Sequence, residues 1–306
     1  MTQTTYLIGT PGQVWQDKEK QQWLAQTTIK RSYLQEVVTK ITALADKLDV
    51  QQHGALSYSP EKYPLFVIKS KNWDNNKPTV LITGGVHGYE TSGVHGALLF
   101  LNDEINNYLA DFNFIAIPCV SPWGYEVINR WNPQAIDPNR SFYDNTPSEE
   151  SAAVMELVKQ HQNANFIAHI DLHETTDTDE SEFRPALAAR DGIEYVAGSI
   201  PDGFYGVGDT ENPQHDFQTA IIDEVRQVTH IAPADAEGEI IGSAITQEGV
   251  INYPLKALSL CASVTDATYT CTTEVYPDSP KVTDDECNQA QVAALRGALN
   301  YILQNK

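Results

Sequence analysis

His87 and Glu90 stand three residues apart in the run His87-Gly88-Tyr89-Glu90. An imidazole and a carboxylate at that spacing, on the first turn of one element, can converge on a single cation. Imidazole nitrogen and carboxylate oxygen are typical zinc donors. A catalytic zinc takes three protein donors and keeps one position open. The pair therefore calls for a third donor, a general base and a group that holds the substrate. The apolar run Thr79 to Thr83, followed by Gly84-Gly85-Val86, reads as a buried strand that ends just before the pair. A strand end that opens into a glycine-rich turn is where α/β sheets place their chemistry.

The third donor is expected at another strand end. Ile167 to His173 alternates, so His169, Asp171 and His173 fall on one face of a strand. His173 is the last of these, at the exit into Glu174-Thr175-Thr176, and is the expected ligand. His169 lies deeper in the strand and reads as a core histidine. His95 reads as structural. Asp171 and Glu174 are the remaining acids that could serve a second ion, and none is expected.

The surrounding elements follow from periodicity. Gln22 to Leu48 has helical spacing. Ala55 to Tyr58 and Pro64 to Lys69 read as a strand pair, and Gly93 to Tyr108 as a helix. Asn113 to Val120 reads as a strand, and Pro147 to Gln160 as a helix capped near Ser148. Phe217 to Val228 is helical. Leu255 to Thr265 and Tyr269 to Val275 read as strands, and Asp284 to Gln304 as a closing helix. Strands and helices alternate, so the expected class is α/β, one domain with a central mixed, mostly parallel sheet flanked by helices. It spans 1–306, with a helical and strand extension in about 1–75. The loop-rich stretch from Thr176 to Gly249 is expected to carry active-site loops.

With 306 residues the chain can bury a large core. A net charge of -21 argues against the basic face that nucleic acid or an anionic membrane requires. No stretch approaches the ~20 apolar residues that span a bilayer. The first residues lack a signal-peptide pattern, so a cytoplasmic location is expected. Cys119, Cys261, Cys271 and Cys287 have no close-pair zinc spacing and read as reduced, buried thiols. The oligomeric state is not legible.

The ordered set His87-Gly88-Tyr89-Glu90, Arg130, Asp137-Pro138-Asn139-Arg140, His173 and Glu274 resembles the zinc carboxypeptidase family of carboxypeptidase A type, over residues 79–280. Ser121-Pro122-Trp123-Gly124-Tyr125 is similar to a further segment of that family. The resemblance implies one Zn²⁺ per chain, held by His87, Glu90 and His173. It implies that Asp137 bonds the far nitrogen of His87, and that Asn139 and Arg140 hold the substrate's free carboxylate. A guanidinium fork suits that group. Arg130 would polarise the scissile carbonyl. Glu274 would be the general base toward a metal-activated water. Tyr253 would cover the substrate, with Tyr269 as the other choice. A plain count puts Ser259 in the side-chain pocket.

Three places depart from the digestive members. Tyr89 stands where they carry an arginine used by longer peptides. Gly84-Gly85-Val86-His87-Gly88 and Asp171-Leu172-His173-Glu174-Thr175-Thr176 are both similar to the aspartoacylase and succinylglutamate desuccinylase branch. The expected activity is hydrolysis of an amide next to a residue with a free carboxylate, on a peptide. The alternatives are an N-acyl amino acid deacylase and an inactive metal-binding interaction protein. Arg184 could meet an acidic substrate side chain or form a loop salt bridge.

Overall fold

The computed structural model describes residues 6–305. Ten strands form one mixed sheet: β1 Asp49–Ala55, β2 Pro64–Lys69, β3 Thr79–Gly84, β4 Asn113–Ile117, β5 Phe166–Glu174, β6 Tyr205–Asp209, β7 Glu239–Ile240, β8 Ser243–Gln247, β9 Val250–Tyr253 and β10 Tyr269–Val275. The helices are α1 Asp17–Leu24, α2 Thr39–Ala43, α3 Thr91–Asp103, α4 Pro122–Val127, α5 Glu149–Gln160, α6 Arg184–Asp191, α7 His215–Val225 and α8 Asp284–Gln304. The strand order is β1-β2-β4-β3-β5-β10-β6-β9-β8-β7. Its centre, β4-β3-β5-β10, is parallel, and antiparallel strands flank it.

Alternation along the central strands divides the core. Val80 and Ile82 of β3 and Ile170 and Leu172 of β5 pack with α3, α7 and α8 on one face. Leu81, Ile115 and Ile117 pack with Val154 and Leu157 of α5 on the other. Strands covered on both faces read as near-continuous apolar runs, and every residue of β3 and β4 is buried. Thr283 and Glu286 form a reciprocal cap that starts α8, and Ser148 caps α5.

Three expected elements differ. The long helix over 22–48 is broken. α1 ends at Leu24, and helical structure resumes only at Leu34. Between them the amides of Lys30 and Arg31 bond the Glu126 carbonyl, and the Arg31 guanidinium bonds the Tyr125 carbonyl. Tertiary bonds override the local helical pattern there. The run 255–265 is no strand. Its amides turn back on Pro254 and Leu255, and the Cys261 amide donates to the Asn139 side chain. Those bonds replace a sheet ladder, and the segment carries only a short 3₁₀ turn, Cys261–Ser263. The first strand ends at Ala55, the residue where its pattern has it begin: Asp49–Ala55 pairs with Pro64–Lys69, and residues 56–58 belong to the turn between them.

All four cysteines are buried and free. No helix among the described residues is long and apolar enough to cross a membrane.

Candidate metal centre and cleft

The site follows from strand register. In the parallel centre, Thr83 pairs with Asp171, Thr272 with Asp171, and Glu274 with His173. On β6, Val207 pairs with Thr272 and Tyr205 with Glu274. Paired residues point to one face, so Thr83, His169, Asp171, His173, Thr272 and Glu274 share it. Their last members sit where the strands end.

Beyond Gly84 the chain turns sharply. Gly85 has φ +58°, a conformation that suits glycine. A side chain on Gly88 would stand 2.2 Å from the Tyr125 amide nitrogen and 2.3 Å from the Ser121 carbonyl oxygen. The turn therefore packs backbone to backbone on α4 and delivers His87. Glu90 is the residue that precedes the first turn of α3.

His87 Nδ1 lies 2.7 Å from Glu90 Oε1, and His173 Nδ1 lies 2.6 Å from Glu90 Oε2. One donor atom from each of the three lies within 4.8 Å of the others, and all three residues are buried. The Oε2 approach lacks hydrogen-bond geometry and leaves that oxygen without a hydrogen-bond partner. A buried orphan oxygen facing two imidazole nitrogens is the pattern expected of atoms aimed at a shared cation. The donor set, two imidazoles and a carboxylate, fits zinc.

Both far nitrogens meet carboxylates. His87 Nε2 is 2.9 Å from Asp137 Oδ1, and His173 Nε2 is 2.9 Å from Asp171 Oδ2. Such outer bonds fix ring tautomer and orientation. Burial alone would raise the Asp137 carboxyl, but Arg130 and His87 hold it well below the usual carboxylate range. Asp171 also accepts from the Thr83 hydroxyl at 2.6 Å. The Asp171 bond to His173 was missed in the sequence, although two-residue spacing on a strand was the signal for it. His169 sits below, 2.9 Å from Thr83, and burial pushes it down to about 4.

Arg130 donates to Asp137 at 3.0 Å and to Asp179 at 3.1 Å. Tyr89 is buried and donates to Asp179 at 2.7 Å. Glu274 accepts from the Thr175 hydroxyl at 2.9 Å, and Thr175 in turn meets the Tyr205 hydroxyl. Burial and the nearby Glu90 charge push Glu274 up to about 8. Asp179 and Tyr205 lie in the loop-rich stretch without a motif of their own, and Thr175, although within the Asp171 to Thr176 motif, carries no pattern that points to Glu274.

Glu274, Arg130, Arg140, Asn139 and Tyr253 line one cleft of about 610 Å³ with His87, Glu90 and Asp137. Arg140 donates to its neighbouring Asn139 carbonyl at 2.7 Å, and no carboxylate among the described residues ion-pairs with it. Asn139 is already engaged: its side-chain oxygen accepts from the Cys261 amide at 2.7 Å. Tyr269 packs against Phe217 and Tyr301 outside the cleft. Ser259 does not line the cleft, and Leu260 does. Arg184 reaches the cleft and also pairs with Glu180. Glu174 accepts from the amides of Thr91 and Ser92, and burial pushes it up to about 7. His95 bonds Tyr125 and lies outside the cleft.

Residues 55–178 match the sequence profile Peptidase_M14, zinc carboxypeptidase. By that match residues 55–178 are similar to the zinc carboxypeptidase family. The fold agrees. A protein from Shewanella amazonensis SB2B assigned as a metallopeptidase is 20% identical, with a TM-score of 0.63, over 90% of this chain and 98% of that one. A metallo-carboxypeptidase from Burkholderia cenocepacia is 14% identical, with a TM-score of 0.60, over 88% and 69%. A metallo-carboxypeptidase from Pseudomonas aeruginosa, in complex with (2-guanidinoethylmercapto)succinic acid, is 14% identical, with a TM-score of 0.59, over 90% and 70%. None of the curated proteins matches the chain by sequence.

Proposed function

We propose that this protein is a hydrolase of the zinc carboxypeptidase family and removes a C-terminal residue from short peptides. The observation that carries the reading is the convergence of His87, Glu90 and His173 beside Glu274, in a cleft that also holds the unpaired Arg140. His87, Glu90 and His173 would hold one Zn²⁺ per chain, with Asp137 and Asp171 as their outer partners. When bound, the ion supplies Lewis acidity and makes water a nucleophile near neutral pH.

The other roles belong to the chain. Arg140 would receive the α-carboxylate, since an unpaired guanidinium in a cleft favours a planar anion. Arg130, held rigid by Asp137 and Asp179, would stabilise the oxyanion that develops on the scissile carbonyl. Glu274 would take the proton of the attacking water and give it to the leaving nitrogen. The first step needs the ionised carboxylate, and a cation held by His87, Glu90 and His173 would offset the burial that raises Glu274. Tyr253 would close over the bound residue. Val207, Leu260 and Ile241 line the same end without a charged side chain among them, which favours an apolar C-terminal residue.

One feature also keeps N-acyl amino acid hydrolysis open. Tyr89, bonded to Asp179, offers no cation to an extended peptide. The test is zinc content together with hydrolysis of dipeptides, longer peptides and acyl-amino acids, by wild type and Glu274→Gln. One zinc in both, with peptide cleavage lost in the variant, is the expected result. Cleavage of acyl-amino acids alone moves the activity to deacylation. No cleavage by the zinc-loaded wild type overturns the hydrolase assignment of the site.

A further inference from the structure

The cleft has two ends. Arg140, Tyr253, Val207 and Leu260 form one, where the departing residue would sit. The other is reached along a helical row: Asp179, Phe183, Leu187 and Asp191 all line the cleft and succeed one another at four-residue steps. Asp179 touches Arg130, so the row begins at the reaction centre. It ends against residues 13–24. The Trp15 amide donates to the Arg190 carbonyl at 2.8 Å, and a side chain on Gly192 would stand 2.8 Å from the backbone of Gln13 and Val14. The Trp15 ring meets Trp131 edge-on, with centroids 6.2 Å apart. Val14, Trp15 and Lys20 thus close the acyl end of the cavity that contains Glu274.

Five cations line this cavity: Lys20, Arg130, Arg140, Arg184 and Arg190. Arg130 pairs with Asp137 and Asp179, Arg184 with Glu180, and Arg190 with Asp191. Arg140 is assigned to the α-carboxylate. Lys20 remains, half-buried on α1, with no side-chain partner among the described residues. Six carboxylates line the cavity as well, and the two at this end, Asp179 and Asp191, are paired with Arg130 and Arg190; an ammonium left without an ion pair beside them favours an anionic ligand group there.

We propose that the acyl end of the cleft selects an anionic group, which Lys20 binds, so that preferred substrates are short peptides with an acidic residue on the acyl side of the cleaved bond. The inference rests on the peptidase reading and names its substrate class. No covalent step is added.

The test uses zinc-loaded full-length protein and matched acetylated peptides ending in Ala-Phe or Phe. Each carries Glu or Gln one or two residues before the cleaved bond. Glu and Gln differ in charge but hardly in size. Wild type is expected to favour Glu by about five- to tenfold in kcat/KM at one of the two positions, the range for a partly screened charged contact. Lys20→Ala brings the ratio toward one, and Lys20→Glu inverts it. Lys18→Ala, on the exposed side of the same helix, keeps the wild-type ratio. Equal cleavage of Glu and Gln peptides by wild type overturns the inference alone. So does a preference that survives in Lys20→Ala. Cleavage of no peptide overturns the peptidase reading and this inference with it.

Discussion

Asp171→Asn isolates one outer bond of the proposed metal centre. Asp171 bonds His173 Nε2 at 2.9 Å through one oxygen and the Thr83 hydroxyl at 2.6 Å through the other. Asparagine keeps the volume, and its oxygen can still accept from the imidazole. Its nitrogen would face Thr83, whose hydroxyl must then donate to His169 instead, 2.9 Å away. The network can adapt, but the bond to His173 loses its charge. A hydrogen bond to a charged group contributes about 1.5–3 kcal/mol and a neutral one about 0.5–1.5. The difference, about 1–2 kcal/mol, corresponds to roughly 5- to 30-fold weaker zinc binding. That overlaps the 10- to 100-fold typical of outer partners of zinc histidines. The assay is competition with a chromophoric chelator at fixed pH, with circular dichroism and thermal unfolding to verify the fold. Zinc affinity unchanged within twofold in a folded variant refutes the reasoning, because Asp171 would then not orient His173. Asp171→Ala is the poorer probe, since it leaves buried hydroxyl and imidazole groups without partners.

Further outcomes follow from the same geometry. In the metal-free protein burial would lower His173, but Asp171 and Glu90 raise it well above 6.5, so it carries a proton at pH 7 that zinc must displace. Calorimetry in two buffers of different ionisation heat is expected to record about one proton released per zinc bound. Zinc affinity should climb with pH up to the raised value. By the same linkage, this group stabilises the metal-free fold fully below 6.5 and ceases to as pH rises through its folded pKa. A melting temperature for metal-free protein that does not fall on that alkaline side would count against the assignment. Arg140→Gln is expected to raise KM for a peptide by about 10- to 100-fold, the loss of a charged hydrogen bond, with Arg140→Lys recovering only part. An unchanged KM removes Arg140 from substrate binding. Gly88→Ala should destabilise the protein by about 3 kcal/mol, because backbone atoms of Ser121 and Tyr125 cannot yield as side chains do. Chemical denaturation measures it, and a loss under 1 kcal/mol would show that the turn relaxes.

Much of this site was legible because local rules carried it. Glycines after an apolar strand located the turn before His87, and two-residue alternation located His173 at the exit of its strand. The last helix spans Asp284–Gln304, the range read from its spacing. Helix and strand periods failed where distant groups supplied the backbone bonds. Residues 25–33 answer to Glu126 and Tyr125 rather than to their own helical spacing. Residues 255–265 are apolar enough for a strand, yet the Asn139 side chain takes the Cys261 amide that would enter a ladder. Asp179 and Lys20 share the cleft although 159 positions separate them. No pattern along the chain encodes such a meeting.

The ladder through β3, β5 and β10 has a consequence for inheritance. His173 and Glu274 are spaced by the main-chain bonds that pair β5 with β10, with adjacent strands about 4.8 Å apart, and main-chain bonds do not depend on which side chains flank them. Substitutions around the ladder can accumulate over long descent while the distance between the Glu274 and His173 backbones stays fixed by their pairing. A transplant of this chemistry onto a foreign scaffold would accordingly need three neighbouring parallel strands ending at one level before it needed any particular surrounding sequence.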